Sequence, residues 1–273
     1  MVEKYKFTDD LLTGNNEIDS EHKYLFKLIN TAVDDDEKNE IPKTVLLKKI
    51  LKGLDNYATN HFVHEEEYMQ EIDDPELSLQ KKEHMAFINY IEEECEIEIT
   101  EENAAERLKT IIAFGAKWLY YHIMGSDNMI GAFRKSDIED NGEPFRFKNE
   151  YVIGITFIDD GNIQLFELLR KIDSLIDTKN EQDTFDDVMK LFTELLGSAN
   201  TLFTAKEGYM ERIEYAGLEE QHKAHQSFLK KISRIDIERI NDDRKEYMKE
   251  FVLYIANWLG IHILKEDKQI PKE

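Results

Sequence analysis

His22, His61, Glu65, His84, His122 and Asp127 carry metal-ligand side chains and fall on segments that read as four separate helices. The matching positions in the second half of the chain are Asn162, Leu202, Lys206, His225, His262 and Asp267. The four histidines of the first half lie on stripes of Leu, Ile and Phe, so their rings face a core. One inward imidazole is ordinarily satisfied by a backbone hydrogen bond. Four of them with two inward carboxylates are a different case, because an unpaired buried carboxylate costs on the order of several kcal/mol in desolvation. No lysine or arginine lies on those stripes, and metal ions are the natural counter-charge. Mixed imidazole and carboxylate donors suit iron, manganese or zinc rather than calcium or magnesium. Two carboxylates shared among four histidines suit two metals bridged by carboxylate.

The spacings support that chemistry. His61 and Glu65 are four residues apart and project to one side of a helix, as do Gln80 and His84. His122 and Asp127 are five apart, about 140° on an ideal α-helix. Either a π-type turn brings them together or the carboxylate reaches round the helix. His64 flanks the ligand stripe, as a rim histidine would.

The elements that must position these groups follow from apolar periodicity. Ile18, His22, Leu25, Phe26, Ile29 and Val33 form one stripe. A second helix runs from about Pro42, suited to a first helical turn, through Met69, with Leu46, Ile50, Leu54, Tyr57, His61 and Glu65 on its inner face. A third follows the turn DDP and carries Leu79, Gln80, His84, Phe87 and Ile91, and a fourth from about Glu102 carries Leu108, Ile111, Trp118, Leu119, His122 and Ile123. Four such helices with short joints predict an antiparallel up-down bundle.

The whole unit is duplicated. EKYKFTDDLLTGNNEID from Glu3 aligns without a gap onto EPFRFKNEYVIGITFID from Glu143; EEEYMQEI matches KEGYMERI, and KWLYYHIMGSD matches NWLGIHILKED, at offsets of 140 to 141 residues. The expected fold is therefore all-α, two tandem four-helix bundles over residues 1–138 and 143–273, joined by the polar stretch KSDIEDNG at 135–142.

Composition narrows the function. The 273 residues are 34% charged and 41% hydrophobic, a globular balance. A net charge of -23 argues against nucleic acid or an anionic membrane as partner, since either needs a basic patch. Cys95 is the only cysteine, which excludes an internal disulfide and fits a reducing compartment. No segment reaches ~18 consecutive apolar residues, and the N-terminus has no signal-like apolar region. A cytoplasmic protein is expected.

EIDSEHKYLF, HFVHEEEYM, HMAF and WLYYHIMGSD resemble the four ligand segments of the hemerythrins, bacterial ones in particular. The resemblance covers the first unit almost throughout and the second in spacing, apolar pattern and length. It implies a four-helix bundle with a non-haem diiron centre that binds O2 reversibly. By resemblance His22 and His61 would bind one iron with an open position for O2. His84 and His122 would bind the second, Glu65 and Asp127 would bridge the two, and Leu119 would line the O2 pocket.

One departure stands out in the first unit: the family's HxxxH on the third helix here begins with Gln80. Its carbonyl oxygen is a weaker ligand for iron than imidazole. It binds through oxygen, leaves the position to water, or weakens that metal site. In the second unit Gln221 repeats the glutamine, and His225, His262 and Asp267 remain. Asn162, Leu202 and Lys206 replace the other three ligands. The Lys206 ammonium repels a metal and is placed to pair with Asp267, so this unit reads as an emptied site, a lone metal on His225, His262 and Asp267 being the alternative. His222, about 100° round the helix from Gln221, does not substitute for it. The leading expectation is O2 binding for storage, delivery or sensing, with the second domain structural or a surface for a protein partner. The alternatives are a diiron oxidoreductase acting on peroxide or NO, and a metal-free interaction module.

Overall fold

A computed structural model describes residues 5–131, 134–135, 143–176, 181–233 and 244–272. The expected linker lies, from residue 136 to residue 142, outside the described residues. The chain forms two tandem antiparallel up-down four-helix bundles, and no strand occurs among the described residues. The first contains α1 (Asn16–Lys38), α2 (Lys43–Glu71), α3 (Leu77–Glu96) and α4 (Ala104–Gly125). The second contains α5 (Thr156–Ile176), α6 (Glu181–Arg212), α7 (Leu218–Ile232) and α8 (Arg244–Lys265). By spatial proximity the chain divides into two compact units, Met1–Ile72 with Gln80–Ile130 and Asp73–Leu79 with Gly131–Glu273. No helix among the described residues is long and apolar enough to cross a membrane.

The predicted stripes are the buried faces. In the first bundle Leu25, Phe26, Ile29 and Val33 of α1 meet Leu46, Ile50, Leu54 and Phe62 of α2, Phe87 and Ile91 of α3, and Leu108, Ile111, Leu119 and Ile123 of α4. α1 packs against α2 and α4, and α2 also against α4. In the second bundle α5 packs on α6 and α8, and α6 on α7. Phe166, Phe203, Phe228, Phe251, Trp258 and Leu259 are all buried there.

Both bundles enter their first helix through the same turn. Gly14 and Gly154 each have φ +87°, a left-handed conformation that glycine adopts without a Cβ penalty. Five residues later an aspartate ties the turn down. The Asp19 carboxylate accepts from Thr13 N and Thr13 Oγ1, both at 2.8 Å. Asp159 accepts from Ile153 N and Gly154 N, both at 2.8 Å. The repeated Gly-x-x-x-Ile-Asp of the sequence is thus an entry lock. On α1 the Asn15 side chain adds an N-cap by accepting from Glu17 N and Ile18 N at 3.0 and 3.4 Å. Asn39 ends the helix in the left-handed region at φ 53°. Asp19→Ala removes both Thr13 hydrogen bonds and is expected to lower unfolding stability by about 2 kcal/mol. Urea denaturation measures it, and an unchanged midpoint would refute the lock.

Candidate metal centre

The ligand residues of the first bundle meet at one buried point. His22, His61 and Glu65 bring donor atoms within 4.8 Å of one another, and so do Glu65, His84 and His122. Glu65 belongs to both groups. His22, Glu65 and Gln80 are 0% exposed, and His61, His84 and Asp127 are 1%. α1 supplies His22, α2 supplies His61 and Glu65, α3 supplies Gln80 and His84, and α4 supplies His122.

Asp127 reaches the site by neither route that the five-residue spacing suggested. α4 stops at Gly125, and the chain resumes as a 3-10 turn over Asp127–Met129. That break brings Asp127 Oδ1 to 3.1 Å from His122 Nε2 and Oδ2 to 3.2 Å from His22 Nε2.

Three further carboxylates, not singled out from sequence, hold the rings. Glu21 Oε2 lies 2.7 Å from His61 Nδ1, Glu66 Oε1 lies 2.9 Å from His84 Nδ1, and Glu83 Oε2 lies 3.2 Å from His122 Nδ1. Each acid is the sequence neighbour of a ligand on its own helix yet supports the histidine of the next helix. The acid-ligand pairs Glu21-His22, Glu65-Glu66 and Glu83-His84 were the available signal. A carboxylate at Nδ1 fixes the proton there, so the inward Nε2 presents a lone pair.

The inward nitrogens and carboxylate oxygens then converge. His84 Nε2 is 3.0 Å from His122 Nε2 and 3.1 Å from Glu65 Oε2. Both nitrogens of His22, His61 Nε2, both oxygens of Glu65, Gln80 Oε1 and Asp127 Oδ2 make no hydrogen bond among the described residues. The Gln80 amide nitrogen reaches Asp127 Oδ1 only at 3.4 Å. Bare acceptors converging in an apolar core require a cation among them. The donor set, imidazole nitrogen with carboxylate and amide oxygen, fits a transition metal.

Without a metal, protons take that role. Burial disfavours the His122 imidazolium, but the Asp127, Glu65 and Glu83 carboxylates around it outweigh that cost and raise the group to about 10. His84 is raised as well, burial being outweighed by the neighbouring Glu65 carboxylate and the hydrogen bond to Glu66. Burial opposes ionisation of Glu65, yet His61, His122 and His84 hold its carboxyl well below the ordinary range. His61 is lowered, chiefly by burial. His64 sits on the rim, with Nδ1 2.7 Å from Glu21 Oε1. Burial, reinforced by Glu65, Asp127 and Glu21, raises the Tyr57 phenol well above its ordinary value.

Aromatic rings close the site. Phe62 stacks on His84 at 3.9 Å and 3°, and Trp118 on His122 at 4.2 Å and 19°. Leu119, one turn before His122, is fully buried.

The second bundle keeps half of this arrangement. His225, His262 and Asp267 bring donor atoms within 4.8 Å of one another. Glu207 Oε1 lies 2.7 Å from His225 Nδ1, in the manner of Glu66 with His84, and Glu207 Oε2 lies 3.0 Å from Nδ1 of the exposed His222. Phe203 and Trp258 stack on His225 and His262 at 4.0 and 4.6 Å. Gln221, like Gln80, is buried.

The other half is rebuilt. Lys206, 0% exposed, pairs its ammonium with Asp267 Oδ2. Against the cost of burial, Lys206 and His262 hold Asp267 far below the ordinary carboxylate range. Burial pushes His225 down to about 4, with His262 and Lys206 contributing against the Glu207 hydrogen bond. Gly161 stands at the position of Glu21, and a Cβ there would collide with Leu202, which replaces His61. Acid and histidine have been exchanged together for an apolar contact. Asn162, in place of His22, is buried with no hydrogen bond to its side chain. Ala224 replaces Glu83, so His262 lacks that counterpart of the acid behind His122.

Comparison with known proteins agrees with the duplication. Residues 13–133 and 153–271 both match the family described as hemerythrin HHE cation binding domain. The chain is 31% identical over 125 residues to a bacteriohemerythrin of Clostridium acetobutylicum, covering 46% of this chain and 97% of that protein. It is 29% identical over 119 residues to one of Pseudomonas paraeruginosa and 26% identical over 123 residues to one of Stenotrophomonas maltophilia. Each of those alignments covers 44% of this chain and 74% of the relative. No solved structure matches significantly.

Because His122 is raised to about 10 when no metal is bound, metal loading near neutral pH is expected to release protons, and affinity should fall as pH is lowered. Calorimetric titration with Fe(II) or Zn(II) in buffers of different ionisation enthalpy measures this. A heat independent of the buffer would count against the arrangement.

Proposed function

Since the chain belongs to the hemerythrin HHE cation binding family over both halves, we propose that its first domain, residues 1–138, holds two non-haem iron ions and binds O2 or another small diatomic. The role is storage, delivery or sensing. The observation that carries this reading is the set of buried acceptors that converge without partners around Glu65. His22 and His61 would hold one iron. His84, His122 and the Gln80 carbonyl would hold the other, with Glu65 and Asp127 shared between them. When bound, the iron pair supplies the reducing electrons and the open position that a diatomic ligand needs.

The chain's own residues set the conditions. Glu21, Glu66 and Glu83 orient the rings of His61, His84 and His122 and keep their Nδ1 protons in place. Phe62 and Trp118 fix two of those rings by stacking. Leu119 helps keep water from the centre, which favours reversible binding over hydrolytic loss. The single cysteine is exposed, in keeping with a reducing, cytoplasmic setting.

The second domain, residues 143–273, is read as metal-free. The Lys206 ammonium supplies the charge that Asp267 needs, and Leu202 fills the space of a ligand histidine. It serves as a structural unit or as a surface for a protein partner. A second reading of the first domain, as an oxidoreductase acting on peroxide or NO, rests on Gln80, whose Oε1 makes no hydrogen bond and whose amide is a weaker donor than imidazole.

Metal analysis of protein produced in iron-replete medium is expected to give about two irons per chain. About four would overturn the metal-free second domain, and none would overturn the whole reading. His61→Ala should abolish the ultraviolet-visible bands that appear on exposure to air. Lys206→Glu returns a carboxylate to the half site of Gln221, His225, His262 and Asp267. It is expected to add about one metal per chain, because the positions of His22 and His61 remain Asn162 and Leu202. Turnover of peroxide by the wild type, lost in Gln80→His, would favour the oxidoreductase.

A further inference from the structure

Tyr57 stands one helical turn before His61 on the inner face of α2. Its ring stacks on the His61 ring at 4.6 Å and 27°, and His61 in turn meets His22 edge-on at 4.8 Å. The hydroxyl is buried and finds no hydrogen-bond partner among the described residues. A phenylalanine would fill the same volume without that uncompensated desolvation. The phenol therefore needs an acceptor that the described residues do not supply.

The donor inventory places that acceptor. The half of the centre built on His84 and His122 has Gln80 as a further donor. Among the described residues, the half built on His22 and His61 has no third residue beyond the shared carboxylates. The less complete half is the one that Tyr57 packs against. The second bundle agrees: where His61 has become Leu202, Tyr57 has become Ser198, whose hydroxyl accepts from Gln164 Nε2 at 3.3 Å. The phenol is thus present in the bundle that keeps His22 and His61 and absent from the one that has lost them.

We infer that the Tyr57 hydroxyl donates a hydrogen bond to the small ligand held at the His22 and His61 side of the centre. It thereby selects diatomics and pseudohalide anions that present an acceptor lone pair. The inference rests on the metal reading of the first domain, and azide serves as the probe for both. Azide titration of the iron-loaded full chain, followed by its visible absorption, is compared between wild type and Tyr57→Phe. The expected result is azide binding weakened about 10-fold or more in the variant, with iron content and melting temperature unchanged. The vibrational frequency of bound azide should shift in D2O for the wild type and not for the variant. Unchanged azide affinity overturns the role of Tyr57 while leaving the metal centre standing. Loss of iron from the variant also overturns it, because Tyr57 would then act in assembly. A wild-type chain that takes up no iron overturns the metal reading and this inference with it.

Discussion

Two carboxylates, Glu65 and Asp127, lie inside a four-helix bundle with essentially no solvent contact. An ionised carboxylate in such a place must be matched by positive charge, or it gives up its ionisation or destabilises the fold. Most of what is distinctive in this protein answers that constraint. In the first bundle four imidazoles and an amide surround the carboxylates with acceptor atoms, an arrangement that calls for a mobile cation. In the second, Glu65 has become Lys206, and the cation is a side chain bonded into the fold. One architecture therefore carries two solutions to the same electrostatic problem. One depends on what is available in solution, and the other does not.

The supporting carboxylates turn a collection of ligands into an ordered set. Glu21, Glu66 and Glu83 each bind the outer nitrogen of a histidine on the following helix. Protonation state and ring orientation are thus set across every consecutive pair of helices. The pattern also makes the second bundle's history readable. Glu207 persists with His225, while Gly161 and Leu202 have replaced an acid and its histidine together. A histidine at position 202 would lack its acid, and an acid at 161 would clash with Leu202. Loss of that half is therefore guarded against simple reversal, whereas loss of the shared carboxylate at Lys206 rests on a single side chain.

Much of this was legible along the chain. Apolar spacing of three and four residues fixes helix identity because a bundle buries one stripe per helix. The His61/Glu65 and Gln80/His84 spacings place their side chains together because four residues make about one turn. The duplication follows from self-alignment at an almost constant offset, and the Lys206 to Asp267 pairing follows from charge at equivalent positions. The reach of Asp127 was not legible, since a five-residue spacing on a continuous helix points it away. Only the break at Gly125 and the following 3-10 turn redirect it. The acids behind the histidines were also hidden, because each serves a helix other than its own. Adjacency in sequence suggests the wrong partner.

The sequence by itself determined the two bundles, the residues that face their interiors and the charge imbalance that one of them must correct. These depend on periodicity and composition, which are local properties of the chain. Tertiary structure alone decided which nitrogen of each histidine turns inward, how Asp127 enters the site, and that the Tyr57 hydroxyl is buried without a partner among the described residues. Those facts depend on distances and angles between side chains on different helices. Helical spacing specifies a face but carries no information about what another helix sets against it.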